Sequence, residues 1–529
     1  MFFTPPQPAE NKVVTVPAPI GGLNARDPLT SMPETDAVSM DNFWPQPYGV
    51  AVRRGYREWV TGVTDAVKTV AFWNDVDGSE KILAWGAGEV YDITTEGPVG
   101  AALLDGFAND LWQYVVTSNA AGSHLIAVNG ADDALLYNAS GLQEITAGDG
   151  IVANTWAGLT PSSAIQLAVY QSRIWAVKEN SAVAYYLPPD VIYGTFESVD
   201  FGPLFQRGGY LMFLATWSVD DGSGAEDRLV AVSSTGSAVV FSGGDPADDQ
   251  TWRQVGMYFI GAPVKGRRCY TKVGGDLLIL TTQGVVSMNG QLASAQVADR
   301  ESSLVSDKIQ YLLSRLINQY FDSEGWQLTY VPSENMLIVN VPSAVSGGNF
   351  QLVSNQLIGS WAQFSGMDAI NWATGYAGTF FGAFDGTIYR AFDGYYDKAD
   401  EDGLNGNDIT AECLQAYSYF GALGQTKQVG LYRPNLLIKG TVSFGSRILY
   451  DWKLRNSEIV TPAGESPVGG IWDTDLWVTS LWGGDPQAYR PWLMGAGWGT
   501  AAAIALTLSA TNETLWISTD YSYTVGGIL

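Results

Sequence analysis

Few residues in this 529-residue chain are of types that do chemistry, and their spacing limits what that chemistry could be. The only histidine, His124, stands at the start of a strand-like run, so a Ser-His-Asp or Cys-His relay would have to be built around it. No Gly-x-Ser-x-Gly element leads into a helical pattern, and His124 reads as an ordinary surface or turn residue. Cys269 and Cys413 lie far apart without a Cys-x-x-Cys partner, which indicates neither a disulfide framework nor a zinc site. Both read as small buried hydrophobes. Asp400, Asp402, Asn405, Asn407, Asp408 and Glu412 set oxygens at loop spacing that could hold calcium, but the pattern departs from the EF-hand in position and glycine placement. A solvated turn is the favoured reading there, as a hairpin turn is for Asp75-Val76-Asp77-Gly78. The expectation is a chain with no catalytic residues, no cofactor site and no metal site.

The elements that would position any site follow a cadence. Short β-branched and aromatic runs at 81–85, 124–128, 173–177, 228–232, 276–280, 335–339 and 379–383 return every 43 to 60 residues, most followed by a Gly/Asp/Asn turn and a second strand. Strand repeats on this scale predict a β-propeller over 61–395. Residues 1–60 are broken by Pro5, Pro6, Pro8, Pro17, Pro19, Pro28, Pro33, Pro45 and Pro47, so they read as an extended N-terminal arm running over another surface. One amphipathic helix is inserted at 306–320, with Ile309, Leu312, Leu313, Leu316, Ile317 and Tyr320 on one face and Ser306 as N-cap. The acidic, loop-like stretch 393–408 marks a domain boundary. Alternation resumes beyond it, so 396–529 reads as a C-terminal β domain, sandwich-like.

Composition agrees with a mainly β protein: 60 Gly, 19 Trp, 26 Tyr and 20 Phe with 16% charged residues suit a turn-rich, aromatic-packed chain. With 54 acids against 28 bases and a net charge of −26, the surface is not one that grips nucleic acid by neutralising phosphates. It could still let nucleic acid pass. The opening residues lack the pattern of a signal peptide and no run is long and apolar enough to span a bilayer, so a soluble chain made in a cytoplasm is expected. Paired carboxylates on a propeller could instead form a glycosidase site, with Trp217, Trp361 or Trp372 stacking on sugars. Ser242-Gly243-Gly244-Asp245-Pro246 followed by Thr251-Trp252 faintly resembles the Asp-box turn of sialidase propellers, with departures in spacing. A carbohydrate-binding or glycan-hydrolysing propeller therefore stands as the alternative, while most Trp residues read as packing between blades.

Several stretches, taken in order, resemble the tail nozzle or tail tubular protein B type of virion protein in short-tailed bacteriophages. They are Gly21-Gly22-Leu23-Asn24-Ala25-Arg26-Asp27-Pro28-Leu29, Met32-Pro33, Asp41-Asn42 and Val52-Arg53-Arg54-Gly55-Tyr56 near the start, and Val240-Phe241-Ser242-Gly243-Gly244-Asp245-Pro246 through Gly274-Gly275-Asp276-Leu277 in the middle. Asn407-Asp408-Ile409-Thr410-Ala411, Lys427 and Arg433-Pro434 follow. The resemblance implies a homohexameric ring at the distal end of a short tail, part of the portal-tail complex, docked on a tail adaptor protein and contacted by a fibre or spike. Genomic DNA would traverse it on ejection without specific binding, and the chain would be assembled in the host cytoplasm into the virion tail. No catalytic residue carries over. The expected interaction residues are Gly21, Gly22, Leu23, Asn24, Arg26 and Asp27 in the arm and Ile309, Leu313 and Leu316 on the helix, both at contacts between subunits. Trp472, Trp477 and Trp482 stand in the unmatched region 441–529 as a candidate fibre contact.

Overall fold

The computed structural model describes residues 11–220, 225–248, 250–294, 304–343, 348–400, 403, 405–439, 442–453 and 486–528. Each of the seven strand-like runs coincides with the second strand of an antiparallel unit, beginning with Glu80–Gly86 and Gly122–Val128 and ending with Gly378–Ala383. Apolar residues at successive positions mark these strands because both of their faces are covered by neighbouring units. Each unit packs on the next and the seventh on the first, which makes the arrangement a closed β-propeller. Five units are self-contained sheets of four or more strands, the fifth in chain order has three, and the sixth is one end of a nine-stranded sheet. The circle closes by strand exchange: Tyr56–Thr61, from before the first blade, pairs antiparallel with Ile388–Ala391 of the last.

Polar side chains near the start of the innermost strands pin one blade to the next at four of the seven junctions. The Gln166 amide, on the third blade, donates to Leu214 O on the fourth at 2.9 Å and accepts from Leu214 N at 3.1 Å. Gln327 does the same to Trp372, at 2.7 and 2.8 Å. Thr69 Oγ1 donates to Asp110 O at 2.6 Å and accepts from Trp112 N at 3.0 Å. Asn371, oriented to accept from Val70 N at 2.8 Å and donate to Val67 O, joins the seventh blade to the first. Three of these residues sit at a register shift, Val67/Thr69, Ala164/Gln166 and Ala369/Asn371, where the bulge turns the side chain sideways instead of into its own blade.

The segment expected as an extended arm running over another surface is built into the second β domain from Asn11 onward. Asn11–Pro17 pairs along its whole length with residues 518–524, and Gly49–Val52 also pairs with the C-terminal strand Thr514–Ile528. These strands, with Phe43–Gln46 and Gln425–Ile438, make one sheet; Asp36–Asp41, Thr410–Gln415, Ala502–Ala510 and Val442–Tyr450 continue the sixth blade into the other. The two sheets face each other, with Tyr432 Oη 3.0 Å from Ser446 Oγ and the Phe444 and Tyr489 rings 6.0 Å apart. Prolines shaped this segment without excluding pairing: Pro17 and Pro45 lie on strands paired on one side only, and the central strands Asp36–Asp41 and Gly49–Val52 have none.

The inserted helical segment is also corrected. It holds Met288–Ser294 as well as a 3-10 turn, Asp307–Ile309, that continues as Gln310–Tyr320. Ser306 does not cap the helix, because its hydroxyl is taken by the Val285 amide at 3.0 Å. A pin residue tests the ring's construction. Gln327→Leu leaves the buried Trp372 N–H without an acceptor and is expected to cost about 1–3 kcal/mol, read as a lower urea midpoint at unchanged slope.

Candidate functional site

The structure brings the two expected interaction clusters together, although Arg26 and Asp307 are 281 residues apart. Gly22 has φ +75°, and a Cβ there would lie 2.4 Å from the Trp361 carbonyl oxygen, so only glycine lets the chain pass so close to the sixth blade. Leu23 is buried in the core just beyond it. Asn24 is buried, and its Oδ1 accepts from the amides of Arg26 and Asp27 at 3.0 Å while Nδ2 donates to Asp36 at 2.7 Å and Asp27 at 2.9 Å. Hydrogen bonds from Arg26 and Asn24 hold the Asp27 carboxyl below the usual carboxylate range. Arg26 also bonds Asp307, and Lys308 Nζ donates to Gly21 O at 3.0 Å and Asp36 Oδ1 at 2.9 Å. This polar staple holds the 3-10 turn, and behind it Ile309, Leu313 and Leu316 are buried in this chain's own core, each contributing roughly 1.5–3 kcal/mol. The reading of these residues as contacts between subunits is thereby corrected: the apolar face of the helix is already covered from within. Trp472, Trp477 and Trp482 lie outside the described residues.

A second cluster stands where the chain enters and leaves the ring. Arg53 is 1% exposed, and all five of its N–H donors are used. Nε donates to Asn42 Oδ1 at 2.7 Å; Nη1 to Asp397 Oδ1 at 2.7 Å and Arg54 O at 3.1 Å; Nη2 to Asp397 Oδ2 at 2.6 Å and Ser365 O at 2.6 Å. Asn42 completes the knot by accepting from Ser365 N at 2.9 Å and donating to Thr410 O at 2.9 Å. Gly55 is required beside it, since a Cβ there would lie 1.9 Å from Tyr396 O. Asp41, next to this knot, is half-buried, and desolvation raises its pKa despite the bond from Ser365. Arg53 and Asp397 are 344 residues apart, and neither stood among the expected site residues. Their signal was present in the doublet Arg53-Arg54 before Gly55 and in the aspartate after Tyr395-Tyr396, at the two ends of the ring.

The remaining candidates take structural places. His124 is 3% exposed, not a surface or turn residue; its Nε2 is 3.0 Å from Asn119 Oδ1, and burial alone lowers its pKa. Cys269 and Cys413 are buried free thiols, and burial pushes Cys269 up to about 12. Trp217, Trp361 and Trp372 are buried to within 3% and offer no platform for a sugar. Trp252, from the Asp-box-like turn, stacks between Phe241 at 4.9 Å and Trp175 at 5.8 Å. In the acidic loop Asp397 is held by Arg53, Asp400 accepts from Asn405 at 2.7 Å, and Glu412 lies in a sandwich strand; Asp402 is outside the described residues.

Removing the arginine of the knot leaves a buried carboxylate unpaired. Arg53→Ala is expected to cost about 3–5 kcal/mol in urea denaturation, with Arg53→Lys recovering only a minor part because a point charge cannot replace the planar fork.

No protein-family model matches the chain, and no curated protein does. Among solved structures it is similar to the β-propeller domain of Cps50 (Swd1) from Myceliophteria thermophila, at 11% identity and TM-score 0.37 over 64% of this chain and 99% of that one. It is similar to YCF48 bound to D1 peptide at 13% identity and TM-score 0.35, over 68% and 98%. It is also similar to BBS1N in complex with ARL6DN at 12% identity and TM-score 0.24, over 41% and 75%.

Proposed function

We propose that the chain is a structural subunit of the tail nozzle of short-tailed bacteriophages, forming a ring with further copies of itself. The observation that carries this reading is where the matched motifs lie. The opening stretches around Gly21 and Arg53 and the closing stretch at 407–411 converge on the staple and the knot, so the signature describes a way of joining ring to sandwich and not a catalytic cleft. A subunit that carries load between an adaptor and a fibre needs such a joint. The net charge of −26 suits a conduit, because acids on a wall repel passing DNA within a Debye length of about 8 Å at physiological salt.

Neighbouring subunits would use surfaces other than the buried faces described above. Val13, Leu431 and Met494 stand in one row across the sandwich sheet, all exposed, with Trp492 and Trp498 also exposed nearby in sequence. On the helix, Tyr311 is 69% exposed. Deleting residues 1–20 would not test assembly cleanly, because it removes an edge strand of the sandwich.

The test is the solution mass by light scattering, alone and with tail adaptor and fibre proteins. A ring near six times 56.9 kDa, formed alone or on the adaptor, is expected, and Met494→Glu is expected to weaken assembly while leaving the folded monomer intact. A chain that stays monomeric with every partner and binds or cleaves glycans would overturn the proposal.

A further inference from the structure

The innermost strands begin around a cavity of about 310 Å³ that opens on the ring axis. Its wall brings Lys265, Arg267 and Arg268 together on the segment leading into the fifth blade, in a chain whose bases are outnumbered by 54 acids to 28. Arg268 is fixed in place: its guanidinium reaches the first two blades and donates to Lys68 O at 2.9 Å, Thr69 Oγ1 at 2.7 Å and Trp112 O at 2.9 Å. All three acceptors are neutral. Arg267 makes no hydrogen bond or ion pair with the described residues, and its Nε is buried without a partner. Burial pushes both guanidinium groups down, Arg268 to about 10. Both residues are half-buried and the exposed Glu179 acts on Arg267 only through space, so a bound anion would lower the cost of holding two adjacent cations at this wall.

The surroundings narrow what that anion is. Gln113 lines the same cavity and spends neither its donor nor its acceptor on a described residue. Glu179 and Glu324 are exposed at the wall, and Lys265 Nζ is turned to the Asp322 carbonyl at 2.8 Å. Acids near the opening and a negative surface repel a polyanion, whereas the volume is at the small end of the range for small-molecule sites. A planar guanidinium with free N–H groups matches an oxyanion in two-point contact.

We propose that this axial cavity binds a small oxyanion, a phosphate or carboxylate group, seated on Arg267 with Arg268 and Gln113 as flanking donors. The site is independent of the nozzle reading, since it is complete within one chain. Equilibrium dialysis of the full-length protein with inorganic phosphate, and separately with malonate, tests it against sodium chloride of equal ionic strength. Saturable uptake of one ion per chain is expected for at least one of the two, and which one binds distinguishes the sources. Arg267→Met is expected to weaken that uptake by at least about tenfold, equivalent to 1.4 kcal/mol, while the melting temperature without ligand stays level or rises, because a half-buried cation without a hydrogen-bonded partner is removed from beside Arg268. Gln113→Leu, which removes no charge, is expected to weaken uptake severalfold at unchanged melting temperature. No saturable uptake of either ion by the wild type, or undiminished uptake by Arg267→Met, would overturn the proposal.

Discussion

A buried arginine has all five donors satisfied only where five acceptors converge, and Arg53 meets that demand among the described residues. Around Arg53 the acceptors come from Asn42 before the ring, Ser365 between its last two blades, Asp397 after it, and the backbone at Arg54. None of these groups can shift without leaving an N–H or a carboxylate unpaired away from water. The knot therefore fixes the path into the propeller, the path out of it, and the strand exchange that closes the circle a few residues later. It is a geometric constraint first and a source of stability second, since a buried ion pair repays little more than its own desolvation.

The distribution of apolar clusters follows from that constraint. The first three blades pack through separate clusters, each shared by neighbouring blades. Blades four to seven instead share one continuous cluster with the sandwich, reached through the sixth blade, whose sheet runs on into the second domain. One side of the ring is thus continuous with the sandwich, and the other is held mainly blade to blade. Arg268 links the two sides across the axis, from the fifth blade to the first and second.

What was legible in the sequence was local. The second strand of every blade is a β-branched or aromatic run closed by a turn, and seven such runs could be read in order. The helix face at Ile309, Leu313 and Leu316 was legible as a buried face, but periodicity does not say whose core buries it, and here it is this chain's own. The pairing of Asn11–Pro17 with the C-terminal strand was not legible, because it joins residues about 500 apart, as Thr15 and Asp520 show, and proline-rich composition hid an edge strand. Gln166, Gln327 and Asn371 left a trace, a lone polar residue inside an apolar strand start. That trace has meaning only once the strands are known to be neighbours around a ring. Arg53 stood in one of the stretches that carry the resemblance, without a role, because its partner lies at the far end of the propeller.

The claim that ring and sandwich form one body is tested most directly by native-state hydrogen exchange across a series of low denaturant concentrations. The sandwich strands Gln425–Ile438 and Thr514–Ile528 and the last blade's Ala369–Gly375 and Gly378–Ala383 are the segments to follow. If ring and sandwich open together, their opening free energies merge into one global value. Sandwich strands that open at distinctly lower denaturant while the last blade stays protected would contradict it.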